Sequence, residues 1–259
     1  MSTDILKMSE DGGILTLLLN RPEKRNALNG ALVGSLAAAL EGARDREAIR
    51  VILLRGAGPD FCSGADLEEL EGMLDQSQDA GLEDARRLGA LLLAMRQHPK
   101  PIVAVVQGRA LAGGCGLATA CDLVLAHEDA QLGYPEVHLG FVPAMVMAIL
   151  RRKLTEGRAF ELVALGRRIS AEEAHRIGLV NRVIPGEGFE GRVSELAVEM
   201  ANKPASALAL TKALLYEQAD LSVADGIERG AWVNVEARRT DACRDGVRSF
   251  LSGRKGEAG

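Results

Sequence analysis

The sequence predicts an α/β fold, and three features carry that reading. Short apolar runs alternate with amphipathic helical stretches over the first two-thirds of the chain. Two glycine-rich turns, at residues 61–67 and 112–117, each join a strand-like run to a helix-like one. From residue 144 onward the pattern becomes mostly helical. With 259 residues, 47% of them hydrophobic, the chain can bury one large core, and no linker is long enough to divide it.

The elements follow in order. Residues 14–19 form an apolar run rich in strand formers, closed by Asn20-Arg21-Pro22, and residues 29–43 place leucines and alanines at helical spacing behind Asn29, a good N-cap. Residues 51–54 read as a buried strand. After the turn at residues 61–65, Asp66 and Glu69 read as a capping pair that opens a short helix. Residues 79–95 supply a longer amphipathic helix, and Pro99 and Pro101 then introduce a strand at residues 102–106. The second glycine turn leads into a helix at residues 114–121, a strand at 123–126 and the stretch Gln131-Leu132-Gly133-Tyr134-Pro135. Further on, Ser170 and Glu173 form a second capping pair and residues 180–183 read as extended. Four helical segments fill the last quarter, broken near residues 202–204, 220 and 240–241, and no internal repeat is found.

Charge and composition exclude several classes. A net charge of −5 and 3% aromatic residues argue against a nucleic-acid surface, which needs clustered cations and stacking rings. Residues 1–4 lack the basic and apolar regions of a leader, and no apolar stretch approaches the roughly 20 residues that span a bilayer. The expectation is a soluble, cytoplasmic protein with neither nucleic acid nor membrane as a partner. Cys62, Cys115, Cys121 and Cys243 form no CxxC pair and no metal-ligand spacing with histidine, so they read as small packing thiols, with neither a metal site nor a redox motif indicated. Cys62 and Cys115 stand beside the glycine turns, which leaves a nucleophilic thiol as the alternative.

The turns themselves carry the chemistry. Phe61-Cys62-Ser63-Gly64-Ala65-Asp66-Leu67 and Ala112-Gly113-Gly114-Cys115-Gly116-Leu117 both place small residues where a helix begins. Bare N–H groups there, at the positive end of a helix dipole, can donate to one ligand oxygen. If the fold brings the two turns face to face, they form an oxyanion hole for a carbonyl that gains negative charge. Glu136, in Gly133-Tyr134-Pro135-Glu136, is the candidate base, and a Glu stabilised by a helix N-terminus is the structural alternative for the same residue.

Five landmarks in order, residues 20–28, 61–67, 108–122, 133–143 and 178–180, make the chain resemble the crotonase superfamily, the enoyl-CoA hydratase/isomerase family, nearly end to end. The resemblance implies a crotonase-like spiral of ββα repeats, related to the Clp peptidases. It divides the chain into a core at residues 1–200 with an acyl-CoA site and a C-terminal helical trimerisation region at 201–259. It implies an acyl-CoA thioester as substrate, no separate cofactor, and homotrimers or dimers of trimers. Matched residue by residue, the oxyanion donors are the N–H groups of Ala65 and Gly113, and Glu136 is the general acid or base. Ser63, Asp66, Leu67, Leu111, Gly114, Gly116 and Pro135 fall on the substrate walls, with acyl specificity set by residues 70–78 and 141–148. Arg25 and Ala27, beside Lys24, fall on the coenzyme A loop. Phe250, Arg254 and Lys255 match a segment that closes over the nucleotide, although Gly253 stands where a lysine is usual.

The chain departs from the pattern at Gly116, where hydratases carry a second glutamate. One carboxylate suffices for isomerisation, because the same group removes a proton from one carbon and returns it to another. Hydration would need another group to place the water. Asp66 is a candidate substitute acid, although helix capping explains it equally, and His138 is expected to point away from the site if residues 136–138 are extended. The reading is thus an enoyl-CoA hydratase or isomerase that stabilises a thioester enolate. The alternatives are a hydrolase, either an acyl-CoA thioesterase or a peptidase relative using Ser63, and a non-catalytic acyl-CoA binder. Ser63 lacks the GxSxG setting of a hydrolase nucleophile.

Overall fold

The computed structural model describes residues 4–257, with side chains through residue 252. Its principal sheet has six strands: β1 (Leu6–Asp11), β2 (Ile14–Leu19), β3 (Val51–Gly56), β4 (Ile102–Val106), β6 (Leu123–His127) and β9 (Arg182–Ile184), in that spatial order. β1 runs antiparallel to β2, and every later neighbour pairs in parallel. A smaller sheet joins β5 (Arg109–Leu111) to β7 (Gln131–Gly133) in parallel and β7 to β8 (Ile169–Ser170) antiparallel. The two-sheet α/β architecture with C-terminal helices is the expected fold class.

The central strands are continuous apolar runs because both of their faces are covered. Ile52 and Leu54 of β3, with Ile102, Ala104 and Val106 of β4, face a core shared with α1 (Gly30–Arg44), α3 (Gln78–Gln97), α4 (Gly113–Ala120) and α5 (Ala144–Lys153). The alternate residues Val51, Leu53, Val103 and Val105 pack on the other side against Phe189, Val193 and Leu196 of α8 (Phe189–Ala201). Period-two geometry assigns one sheet's side chains to these two layers.

Asn29 caps α1 by accepting from Leu32 N–H at 2.9 Å, and Ser170 caps α7 (Ala171–Arg176) by accepting from Glu173 N–H at 3.2 Å. Neither predicted pair is reciprocal, since the Glu173 carboxylate accepts from Arg176 at 2.8 Å, and the pair at α2 (Leu67–Met73) also differs from expectation. Asp66 accepts from Glu68 N–H at 3.2 Å, but Glu69 turns away and accepts from Gly30 N–H at 2.9 Å, so its carboxylate caps α1 instead. β1 has no counterpart in the sequence reading because only Leu6 of its six residues is buried, which leaves an edge strand without alternation.

α6 (Glu156–Leu165) follows α5, and beyond β9 the chain ends in four α-helices: α8, α9 (Ala205–Glu217), α10 (Val223–Arg239) and α11 (Asp241–Glu257). Lys212 of α9 ties this region to the core, donating to the Met95 and Lys100 carbonyls at 3.0 and 3.1 Å and to Asp122 Oδ2 at 2.8 Å. Tyr216 donates to the other Asp122 oxygen, and Arg96 stacks on the Tyr216 ring. Among the described residues no helix is long and apolar enough to cross a membrane.

Candidate active site

The two glycine turns meet. Leu28 and Ala65 form an isolated parallel bridge, with Leu28 N–H donating to the Gly64 carbonyl and Asp66 N–H to the Leu28 carbonyl, both at 2.8 Å. These bonds leave the Ala65 N–H unused. Gly64 has φ +104°, and a Cβ there would lie 2.7 Å from the Ala112 Cβ, so only glycine permits this approach. Across the gap, Ala112 holds φ +49°, a strained value for a residue with a side chain, and aims the first turn of α4. A Cβ on Gly113 would sit 3.8 Å from Ala65 N, which puts the two amides beside one small space. Among the described residues neither N–H has a hydrogen-bond partner.

Both amides line one cavity of about 560 Å³, and so does Glu136. The strand β7 delivers Glu136. Gly133 packs so closely on Arg167 that a Cβ would come within 2.5 Å of its carbonyl, and the buried Tyr134 hydroxyl shares a 2.6 Å hydrogen bond with Thr119 of α4. Pro135 then opens a 3-10 helix, Pro135–Leu139, whose turn is closed by Phe141 N–H on the Glu136 carbonyl at 3.0 Å. The turn that carries Glu136 is therefore fastened to the helix that presents Gly113. Glu136 is 7% exposed, and its Oε2 is buried with no hydrogen-bond partner. Burial pushes its pKa above the ordinary carboxylate value, against a smaller opposing contribution from its own backbone N–H.

Three carboxylates line the cavity, and two of them are engaged. Asp66 forms a 2.8 Å ion pair with Arg21, which holds its carboxyl below the usual range, and Glu68 pairs with Lys24 at 2.5 Å. Asp66 thus stays ionised as a structural anion, which is the wrong protonation state for the substitute acid. Gly116 faces the cavity, and a Cβ there would make only ordinary contact with Val146 at 3.5 Å.

Arg25, Ala27, Ser63, Leu67, Leu111 and Pro135 also line the cavity. Gly114 does not. One helical step beyond Gly113 it turns toward β-bridge residue Cys62, where a Cβ would lie 2.3 Å from the carbonyl oxygen, so its role is close packing. Phe250 stands on α11, which packs on α9 and α10, and is absent from the cavity lining; Gly253, Arg254 and Lys255 lie outside the described side chains. His138 falls in the 3-10 helix rather than an extended run, lines the cavity and bonds the Gly166 carbonyl through Nε2 at 3.2 Å.

Residues 141–146 line the cavity, and Leu88 and Leu92 of α3 join them unforeseen. Their i,i+4 spacing on an amphipathic helix was the available signal. Arg168 joins from the position just before β8, brought in by the pairing of β7 with β8, which no local pattern reveals. Burial pushes the thiols of Cys62 and Cys115 up to about 12 and about 11, so both are protonated at neutral pH and unsuited to attack. Ser63 Oγ reaches the Lys24 carbonyl at 3.5 Å and has no histidine partner among the described residues.

A family model described as enoyl-CoA hydratase/isomerase matches residues 9–257. A Thermus thermophilus protein that carries an enoyl-CoA hydratase name is 39% identical over 246 residues, covering 95% of this chain and 97% of its own. The 2,3-dehydroadipyl-CoA hydratase of Escherichia coli is 35% identical over 251 residues, covering 96% of each chain. Among solved structures, an enoyl-CoA hydratase from Mycobacterium smegmatis superposes with a TM-score of 0.93 at 29% identity, covering 97% of each chain.

Proposed function

The chain belongs to the enoyl-CoA hydratase/isomerase family, and on that premise we propose that it forms the enolate of an enoyl-CoA thioester with Glu136 as its single proton carrier. The observation that carries this reading is that, of three carboxylates lining the cavity, Glu136 alone is unpaired and held toward its neutral form.

In this reading the thioester oxygen sits between the Ala65 and Gly113 N–H groups, which donate to it as charge develops. A donor there is worth about 3 kcal/mol of transition-state energy. Glu136 removes a proton from the carbon next to the thioester carbonyl of a 3-enoyl-CoA, and the electrons move onto the oxygen and into the conjugated system. The same carboxyl group then returns the proton to the γ-carbon, giving the 2-enoyl-CoA. One acid–base group balances both steps, which suits a site with glycine at position 116. Arg25 and Ala27 are the proposed contacts for the coenzyme A end, and the apolar walls from α3 and α5 take the acyl chain.

Hydration is the second reading, favoured by the hydratase names of the relatives. It would need the water placed by a group other than a second carboxylate. The discriminating assay gives purified protein a 3-enoyl-CoA and crotonyl-CoA and follows thioester absorbance. Conversion of the first without loss of the second supports isomerisation, and loss of crotonyl-CoA absorbance supports hydration. Glu136→Gln is expected to lower either rate by about 10²- to 10⁴-fold, the usual worth of a positioned acid–base group. Release of free coenzyme A thiol would instead identify a thioesterase, and tight binding without turnover a binder. We further propose that the exposed apolar residues of the C-terminal helices, Ile227, Trp232 and Val235 among them, join copies of the chain into trimers or pairs of trimers. Light scattering should then give a mass of three or six chains.

A further inference from the structure

The helix that carries one proposed oxyanion donor is short, and its far end is held by a half-buried charge. α4 spans only Gly113 to Ala120, so its two ends are rigidly coupled. At the C-terminal end, the Leu117 carbonyl accepts from the Cys121 thiol at 3.3 Å and the Ala118 carbonyl from Cys121 N–H at 3.2 Å. The Cys121 carbonyl accepts from Lys153 Nζ at 2.8 Å. Lys153 is the last residue of α5, the helix whose Val146 packs against Gly116, so the two helices touch at the cavity and again at this charge. An ammonium group at a helix C-terminus opposes the negative end of the dipole and satisfies a carbonyl that the helix leaves free.

We propose that Lys153 is a positioning residue for the oxyanion hole: by holding the C-terminal end of α4 against α5, it keeps the Gly113 N–H at the other end aimed into the cavity. The inference rests on the proposed enolate chemistry for its kinetic consequence, although the mechanical coupling does not depend on it.

The charge that Lys153 carries is conditional. Burial pulls its pKa down to about 8, opposed by Asp122 beyond α4 and aided by Arg96 of α3; the Cys121 and Cys115 thiols, the other titratable groups around it, are protonated in this range, their own values pushed up to about 12 and about 11. Lys212 of α9 and Tyr216 hold Asp122 from the other side. As pH rises through about 8 the ammonium becomes a neutral amine and the hold on α4 weakens.

The test compares wild type, Lys153→Met and Lys153→Arg. For enoyl-CoA turnover, Lys153→Met is expected to lower kcat and kcat/KM together by about 10-fold with KM unchanged, since the donor acts on the transition state. Wild-type kcat should fall above pH 8, whereas Lys153→Arg should keep near-wild-type kcat with that limb removed. A Lys153→Met protein with unchanged kcat per folded molecule, or an alkaline limb that survives in both variants, overturns the proposal. Amide hydrogen exchange tests the coupling without turnover. Lys153→Met should speed exchange of a peptide covering residues 112–121 about 10-fold, the scale of a lost charged cap, and leave β3 and β4 unchanged. Unaltered exchange there overturns the proposal even if the enzyme is active. An inert wild type with accelerated exchange in the variant would sink the functional reading alone.

Discussion

Glu136 owes its raised pKa to burial, since among the described residues no cation counters the desolvation of its charge. Two consequences follow with definite signs. In the proposed reaction the base is the carboxylate, so kcat/KM should fall as pH drops through the folded-state pKa, on a limb that lies above the ordinary glutamate value of 4.5. The folded protein also binds this proton more tightly than the unfolded chain, so the residue costs stability as pH rises across the same window. Glu136→Gln should therefore raise the urea midpoint at neutral pH, with the gain vanishing below pH 4.5, where both states are protonated. Gly113→Ala tests the other half of the site. Its new Cβ would meet the tip of Leu28 at 3.4 Å and stand 3.8 Å from Ala65 N, in the space that the proposed chemistry gives to the thioester oxygen. Folding should be retained, and kcat should drop by about 10²- to 10³-fold, the scale of a lost oxyanion donor. At this scale the sequence was informative where chemistry is local, as with Pro135-Glu136 and the small residues at positions 65 and 113. It was silent where a partner is distant: nothing near Asp66 reveals that Arg21, 45 residues earlier, neutralises it.

For the elements, the close approach of α4 to the strand-like residue Cys62 decides whether the two turns can meet at all. Gly114 permits it, and a methyl group there would lie 2.3 Å from the Cys62 carbonyl, too near for any side-chain adjustment to relieve. Gly114→Ala should cost about 1–3 kcal/mol or more in chemical denaturation, as overpacking does, and should lower activity by displacing α4. Gly34→Ala is the opposite case. It lies in the middle of α1 with nothing within 4 Å of the new methyl, so it should add up to about 1 kcal/mol through helix propensity. If both changes shift stability alike, steric contact is not what distinguishes these glycines. Most elements were legible because apolar runs and caps are local signals, as at residues 102–106 and at Asn29. The exceptions had physical causes: β1 lacks a buried face, and Glu69 found a better-placed donor on another helix than on its own.

Across the whole molecule, the C-terminal helices are joined to the sheet through a buried polar cluster that no pattern in the sequence announces. Lys212 meets a carbonyl 117 residues away and a carboxylate 90 residues away, so its role emerges only after both sheet and helices have assembled. Burial pulls its pKa down while Asp122 pushes back, and the 2.8 Å pair between them is nearly closed to water. Such a pair is worth little against an apolar replacement of both members, but removing one member strands the other charge. Lys212→Met should therefore cost about 3–5 kcal/mol, because Asp122 would keep only the Ile102 N–H and the Tyr216 hydroxyl as donors. Adding Asp122→Asn removes the stranded charge and should recover part of that loss, giving a favourable coupling energy in a double-mutant cycle. Asp122→Asn alone should also destabilise, since it leaves the Lys212 ammonium facing only two carbonyls. Additive single-mutant costs would mean that the two charges do not act as a pair, and that α9 is held by its apolar contacts instead.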